Sequence, residues 1–141
     1  MTFEELEVGQ SAEFSKTVTE ADVVLYAGIT GDVNPVHIDH EAARKSIFRG
    51  PVAHGMLSAG FISTVLGTRL PGPGTVYLSQ SLRFVAPVRI GDTVTARVEI
   101  AQLQVEKRRA VLQTICQNQN GDTVLTGEAT VLVPPAAEAQ S

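Results

Sequence analysis

The longest apolar segment of the chain lies in its middle. From Met56 to Leu66 the apolar residues Met56, Leu57, Ala59, Phe61, Ile62, Val65 and Leu66 nearly encircle a helix, and the positions between them are small: Ser58, Gly60, Ser63 and Thr64. A helix without a charged face must be wrapped by other structure. Gly67 reads as its C-cap, and Pro71-Gly72-Pro73-Gly74 forbids continuation. Beyond it the chain reads as strands. Val76, Leu78, Leu82 and Phe84 share one parity, interrupted by Gln80. Val94, Ala96, Val98 and Ile100 alternate with Thr95, Arg97 and Glu99 as in a half-buried strand. Ala110 to Gln117 predicts a third strand, Asn120-Gly121 a hairpin turn, and Leu125, Ala129, Val131 and Val133 a fourth strand that Pro134-Pro135 ends.

Ahead of the helix, residues 3–18 predict a turn and a short strand, with the break at Val8-Gly9-Gln10. Thr19-Glu20-Ala21-Asp22 is a capping box that starts a short helix through Val23, Val24, Leu25, Tyr26 and Ala27. Gly28 and Thr30-Gly31 end it. Asp39 is the expected N-cap of a second short helix through Glu41 and Arg44. Between the two, Pro35 pushes Asn34 out of the helical region, so an extended or looped segment is expected to carry Asp32 and His37. One buried helix followed by antiparallel strands implies an α+β layer, a sheet curled around a helix. Sheet edges in such a fold are commonly closed by a second subunit, so a dimer is expected. Residues 1–134 read as one domain and 135–141 as a flexible tail.

A hydrophobic content of 43% with 18% charged residues gives enough apolar surface for a real core. The net charge of −4 offers no electrostatic footprint for nucleic acid or for an anionic membrane. No stretch approaches the roughly 20 apolar residues that span a bilayer. The acidic start, Met1-Thr2-Phe3-Glu4-Glu5, has no apolar export segment behind it, and the single Cys116 fits a reducing compartment. A cytoplasmic protein is expected, with Cys116 as a packed core thiol.

Candidate chemistry concentrates in Gly31-Asp32-Val33-Asn34-Pro35-Val36-His37. Asp32 is either a turn residue before Asn34-Pro35 or an acid; beside an imidazole, a carboxylate can orient the ring and share a water with it. Asn34 is a turn former or a ligand. His37, Asp39, His40 and His54 are conceivable metal ligands, but their spacing fits no strong metal motif. Val52-Ala53-His54-Gly55-Met56 precedes the buried helix, whose first-turn amides attract negative charge. The amide of Gly55 could stabilise an enolate-like oxygen, or Gly55 could simply make a tight start to the helix. Ser63, about two helical turns on, projects from a similar face and is either a ligand to Asp32 or a packing residue. No Asp or Glu lies between Glu41 and Asp92, so any catalytic acid must come from outside the central helix.

Asp32-Val33-Asn34-Pro35-Val36-His37 followed by Gly50-Pro51-Val52-Ala53-His54-Gly55-Met56-Leu57 resembles the hydratase signature of the MaoC-like family, with further similarity through Leu78 to Phe84, Pro87-Val88 and Ile90-Gly91-Asp92. Within that family the chain resembles the short (R)-specific enoyl-CoA hydratases. The resemblance implies a hot-dog fold assembled as a homodimer. It also implies an enzyme that adds water to a trans-2-enoyl thioester to give the (R)-3-hydroxyacyl thioester, or runs the reverse dehydration, feeding polyester or fatty-acid metabolism. Carried over by motif position, Asp32 and His37 hold and activate one water. Gly55 donates its amide to the thioester oxygen, Ser63 orients Asp32, and Asn34 shapes the loop. Neither a metal nor a redox cofactor is implied, and coenzyme A belongs to the substrate. The alternatives are a 3-hydroxyacyl-acyl-carrier-protein dehydratase, a thioesterase on the same fold, and a non-catalytic acyl-CoA-binding protein. The absence of an acid on the central helix speaks against the thioesterase.

Overall fold

The computed structural model describes residues 1–136, so most of the tail expected at 135–141 lies outside the described residues. The chain runs β1 (Ser11–Thr17), α1 (Glu20–Thr30), α2 (Pro35–Ile38), α3 (His40–Arg44), α4 (Gly55–Thr68), β2 (Val76–Gln80), β3 (Arg83–Phe84), β4 (Thr93–Gln104), β5 (Arg109–Gln117) and β6 (Thr123–Leu132). All strand pairs are antiparallel, in the order β1-β4-β5-β6-β2, with β3 also on β6. α4 packs on the sheet chiefly through β4 and β1. This is the α+β hot-dog arrangement.

Burial follows the sequence pattern. Ile62, Val65 and Leu66 of α4 are sealed in one cluster with Val94, Val98 and Ile100 of β4, Leu112 of β5 and Leu125 of β6. Each such side chain contributes about 1.5–3 kcal/mol when fully buried. The expectation that α4 is wrapped holds on one side only. Met56, Gly60, Ser63 and Gly67, spaced to share one face of the helix, are exposed in the single chain. β2, the last strand of the sheet order, leaves Val76, Tyr77 and Leu78 about 40% exposed.

Three expectations need correction. Gly67 is not a C-cap: α4 continues through Thr68, Arg69 is the cap residue, and Pro71 makes the stop. The single parity read over 76–84 covers two strands, since the β2 register on β6 shifts between Tyr77 and Ser79 and the chain leaves the ladder before β3. There Ser81 crosses close over Gly127, where a Cβ would lie 1.9 Å from the Ser81 carbonyl oxygen, so only glycine permits the crossing. Finally, His37 does not sit on an extended segment. Pro35 occupies the first position of the single helical turn α2, where its missing N–H costs nothing, and the Asn34 side chain caps that turn by accepting from the Val36 amide.

Candidate active site

The site begins at the end of α1. The Thr19–Asp22 capping box starts this helix, and Lys16 of β1 ties down its first turn by donating to Asp22 at 2.5 Å. The ammonium of Lys16 and the Thr19 amide both favour the Asp22 carboxylate and hold its pKa below the ordinary 3.8. At the other end Gly31 is left-handed (φ 80°) and its N–H closes on Ala27 O at 2.8 Å, which turns the chain outward into Asp32. The Asp32 amide donates to Thr30 Oγ1 at 3.2 Å, and its carboxylate accepts the Asn34 amide at 3.3 Å. The carboxylate itself is exposed to the cleft.

His37 follows on α2. Its Nδ1 meets the Val52 carbonyl at 2.6 Å. A carbonyl only accepts, so Nδ1 carries the proton and Nε2 is left for proton exchange. Val52 is strapped on both sides: its amide donates to Val36 O at 3.1 Å, and the next amide, of Ala53, donates to Val88 O at 2.8 Å. The same strap delivers His54 and Gly55. His54 is buried, with Nε2 donating to the Asp32 main-chain oxygen at 2.9 Å and its ring stacked on His37 at 3.8 Å between centroids. Tyr26 of α1 lies 4.5 Å from the same imidazole.

Gly55 opens α4, and no side chain caps its first turn; the Leu57 amide turns back to the His54 carbonyl at 3.0 Å, while the Gly55 and Met56 amides ahead of it have no acceptor among the described residues. The ring of Phe84 lies against it: a Cβ at residue 55 would fall 2.5 Å from Phe84 Cε1. A side chain at residue 55 would have to displace the Phe84 ring, while the backbone angles of Gly55 make no such demand. Asp32, Asn34, His37, His54, Gly55 and Phe84 all border one cleft of about 530 Å³, whose deeper wall is apolar, with Val88, Val124 and Leu125. The arrangement can hold a water between a carboxylate and an imidazole nitrogen, facing helix-end amides across an apolar slot.

The ligand atoms of Asp32, His37 and His54 all lie within 4.8 Å of one another, which also describes a metal site on distance alone. The two imidazoles, however, are within 28° of parallel and stacked. Their in-plane lone pairs run side by side and do not converge on one ion at a bond length of about 2.0–2.1 Å. His40 lies elsewhere, paired with Glu20, and Asp39 caps α3.

Of the residues singled out in the sequence, Asp32, Asn34, His37 and Gly55 come together. Ser63 does not join them within the single chain: it borders a separate depression with Tyr77, Leu78 and Gln80. The serine that reaches the cleft is Ser58, one turn into α4. Phe84 and the Val52 carbonyl were missed as parts of the site. A strand residue gives no sequence sign of which face it turns to a ligand, and a carbonyl gives none at all.

The family model of the MaoC like domain matches residues 4–120. The chain belongs to the MaoC-like family. Among curated MaoC-like relatives, an (R)-specific enoyl-CoA hydratase of Rhodospirillum rubrum is 54% identical over 94% of this chain and 91% of its own length. A 3-hydroxybutyryl-CoA dehydratase of Methylorubrum extorquens is 52% identical over 97% and 87%. Among solved structures, the (R)-hydratase from A. caviae involved in PHA biosynthesis superposes with a TM-score of 0.90 at 45% identity, over 93% of this chain and 99% of that one. Among the described residues no helix is long and apolar enough to cross a membrane.

Proposed function

We propose that this chain is an (R)-specific enoyl-CoA hydratase, adding water to trans-2-enoyl-CoA to give (R)-3-hydroxyacyl-CoA and running the reverse dehydration. The observation that carries the reading is the convergence of the Asp32 carboxylate and the His37 imidazole on one cleft with the amide end of α4. In this mechanism Asp32 and His37 Nε2 hold one water over C3 of the enoyl group. As its oxygen bonds to C3, Asp32 takes a proton and electron density moves through C2 onto the thioester oxygen, where the Gly55 amide and the helix end stabilise it. His37 Nε2 takes that proton over from Asp32 and delivers it to C2, so H and OH are both added and Asp32 and His37 end as they began. One water is added and no electron is gained or lost, so the step needs no metal or redox cofactor; coenzyme A is part of the substrate. The 54% identical (R)-specific enoyl-CoA hydratase supports the reaction class and its (R) outcome, and the 52% identical 3-hydroxybutyryl-CoA dehydratase supports the reaction class.

In this reading the working form is a cytoplasmic homodimer supplying or consuming (R)-3-hydroxyacyl-CoA in polyester or fatty-acid metabolism. The uncovered α4 stripe and the free β2 edge support the dimer, and the second copy would also cover Ser63. The test follows crotonyl-CoA hydration by loss of the enoyl-thioester absorbance, resolves product chirality, and compares the rate with the same acyl group on acyl carrier protein. Asp32→Asn and His37→Gln each lower kcat about 10²-fold or more. Full activity in both variants with the fold intact would sink the mechanism, and preference for the carrier-protein thioester would move the substrate class.

A further inference from the structure

His54 does more than occupy the residue before Gly55. It is 2% exposed, yet its Nδ1 has no hydrogen-bond partner among the described residues. A side chain that only filled this space would be apolar, since an orphaned buried nitrogen is costly. The other nitrogen explains its presence. Nε2 faces the Asp32 carbonyl at 2.9 Å, so it must carry the proton. Apart from bonds to near neighbours in sequence, this is the one hydrogen bond among the described residues that ties the 31–34 loop to the rest of the chain. The ring meanwhile stacks on His37 at 3.8 Å and 28°. One side chain thus touches both members of the proposed acid–base pair, and neither through its reactive atoms.

We infer that His54 is a positioning residue: its Nε2–H pins the main chain at Asp32, and its ring is the platform on which His37 lies, so that carboxylate and imidazole hold a single water in register. The inference rests on the hydratase reading for its kinetic consequence, but the platform itself is testable without turnover. Releasing the loop by an ångström is enough to misplace the water.

The experiment compares His54→Leu, which removes donor and ring, with His54→Gln, which keeps an N–H donor, and His54→Phe, which keeps a ring. Each is also made in the Asp32→Asn background. His54→Leu lowers kcat for crotonyl-CoA about 10²-fold with KM within about threefold, the cost of a small misplacement. His54→Gln and His54→Phe each recover part of that loss. In the Asp32→Asn background the His54→Leu loss shrinks well below its wild-type size, because the group it positions has already been disabled. A wild-type kcat in His54→Leu, or the same fold-loss in both backgrounds, would overturn the inference, since a merely structural role costs equally in both. Independently of activity, the ring-proton NMR signals of His37 shift in His54→Gln, which folds without an aromatic neighbour there; unmoved signals would refute the platform. An inactive wild-type chain would count against the hydratase reading alone, leaving the NMR outcome to decide for or against His54.

Discussion

Replacing Gly55 by alanine is the sharpest probe of the helix-end half of the site. The added methyl would stand 2.5 and 2.6 Å from two carbons of the Phe84 ring. Carbon atoms in contact sit about 3.5–4.0 Å apart, so the ring must retreat by about 1 Å or more. Phe84 is 54% exposed and free to swing, so the strain stays at or below the roughly 1–3 kcal/mol of an overpacked core. At about 4 °C per kcal/mol, the melting temperature falls by about 12 °C at most. The kinetic effect is larger. Phe84 and the Gly55 amide border the same cleft, and a displacement near 1 Å at the reacting group costs about 10²-fold. We expect kcat/KM for crotonyl-CoA to drop by about that factor in Gly55→Ala, and the double variant Gly55→Ala/Phe84→Ala to recover part of it by restoring space. Wild-type kcat/KM in Gly55→Ala, or a double variant no better than the single with both folded, would refute the assignment of Gly55 as the close-approach donor.

Three further outcomes follow from other parts of the molecule. A Cβ at Gly60 meets nothing within 4 Å, so Gly60→Arg leaves a single chain at least as stable by melting, yet it should halve the mass seen by light scattering if a second copy covers the α4 stripe; an intact dimer would place the interface elsewhere. Lys16→Met removes a pair worth about 0.2–1 kcal/mol near neutral pH. Asp22 is favoured in its ionised form in the fold, so that contribution is complete above the ordinary 3.8 and disappears as the pH falls through the lower folded value; the wild-type lead in melting temperature should therefore close on acidification below about pH 4, and a lead that widened would contradict it. Burial pushes the Cys116 thiol up to about 12, and its Sγ faces the Ser58 carbonyl at 3.6 Å, so a thiol reagent at pH 8 should titrate one equivalent only after unfolding; stoichiometric reaction of the native chain would overturn its placement in the core.

The elements with a strong period were legible in the sequence: α4 from its charge-free apolar run, β4 from its alternation, and α1 from the Thr19–Asp22 capping box. Legibility failed where one residue type serves two geometries. Pro35 was read as a break and is a helix start, because the same fixed φ that excludes Asn34 from a helix suits the first helical position. Gly67 was read as a stop, but its Cβ would meet nothing within 4 Å and the helix simply runs past it. In the proposed mechanism Asp32, His37 and Gly55 act through their own atoms, which is why the motif alone points to them. His54, Phe84 and the Val52 carbonyl act through stacking, close approach and the main chain, and no spacing in a single sequence reports those.

The separation of the acid from the central helix has a physical logic. An anionic side chain in the first turn of α4 would take up the free amides and the positive end of the helix dipole, the groups that face a developing oxyanion in the proposed mechanism. α4 starts without a capping side chain: His54 stands at the N-cap position but its side chain makes no cap bond. Its ring is directed instead to Asp32 and His37. An acid kept on a separate exposed loop leaves the helix end free, but it needs an external tether to stay in register. In the proposed mechanism His54 provides that tether from the residue directly preceding Gly55: one hydrogen bond and one peptide bond join the Asp32 loop to the helix end, while the Val52 carbonyl holds His37 to the same segment.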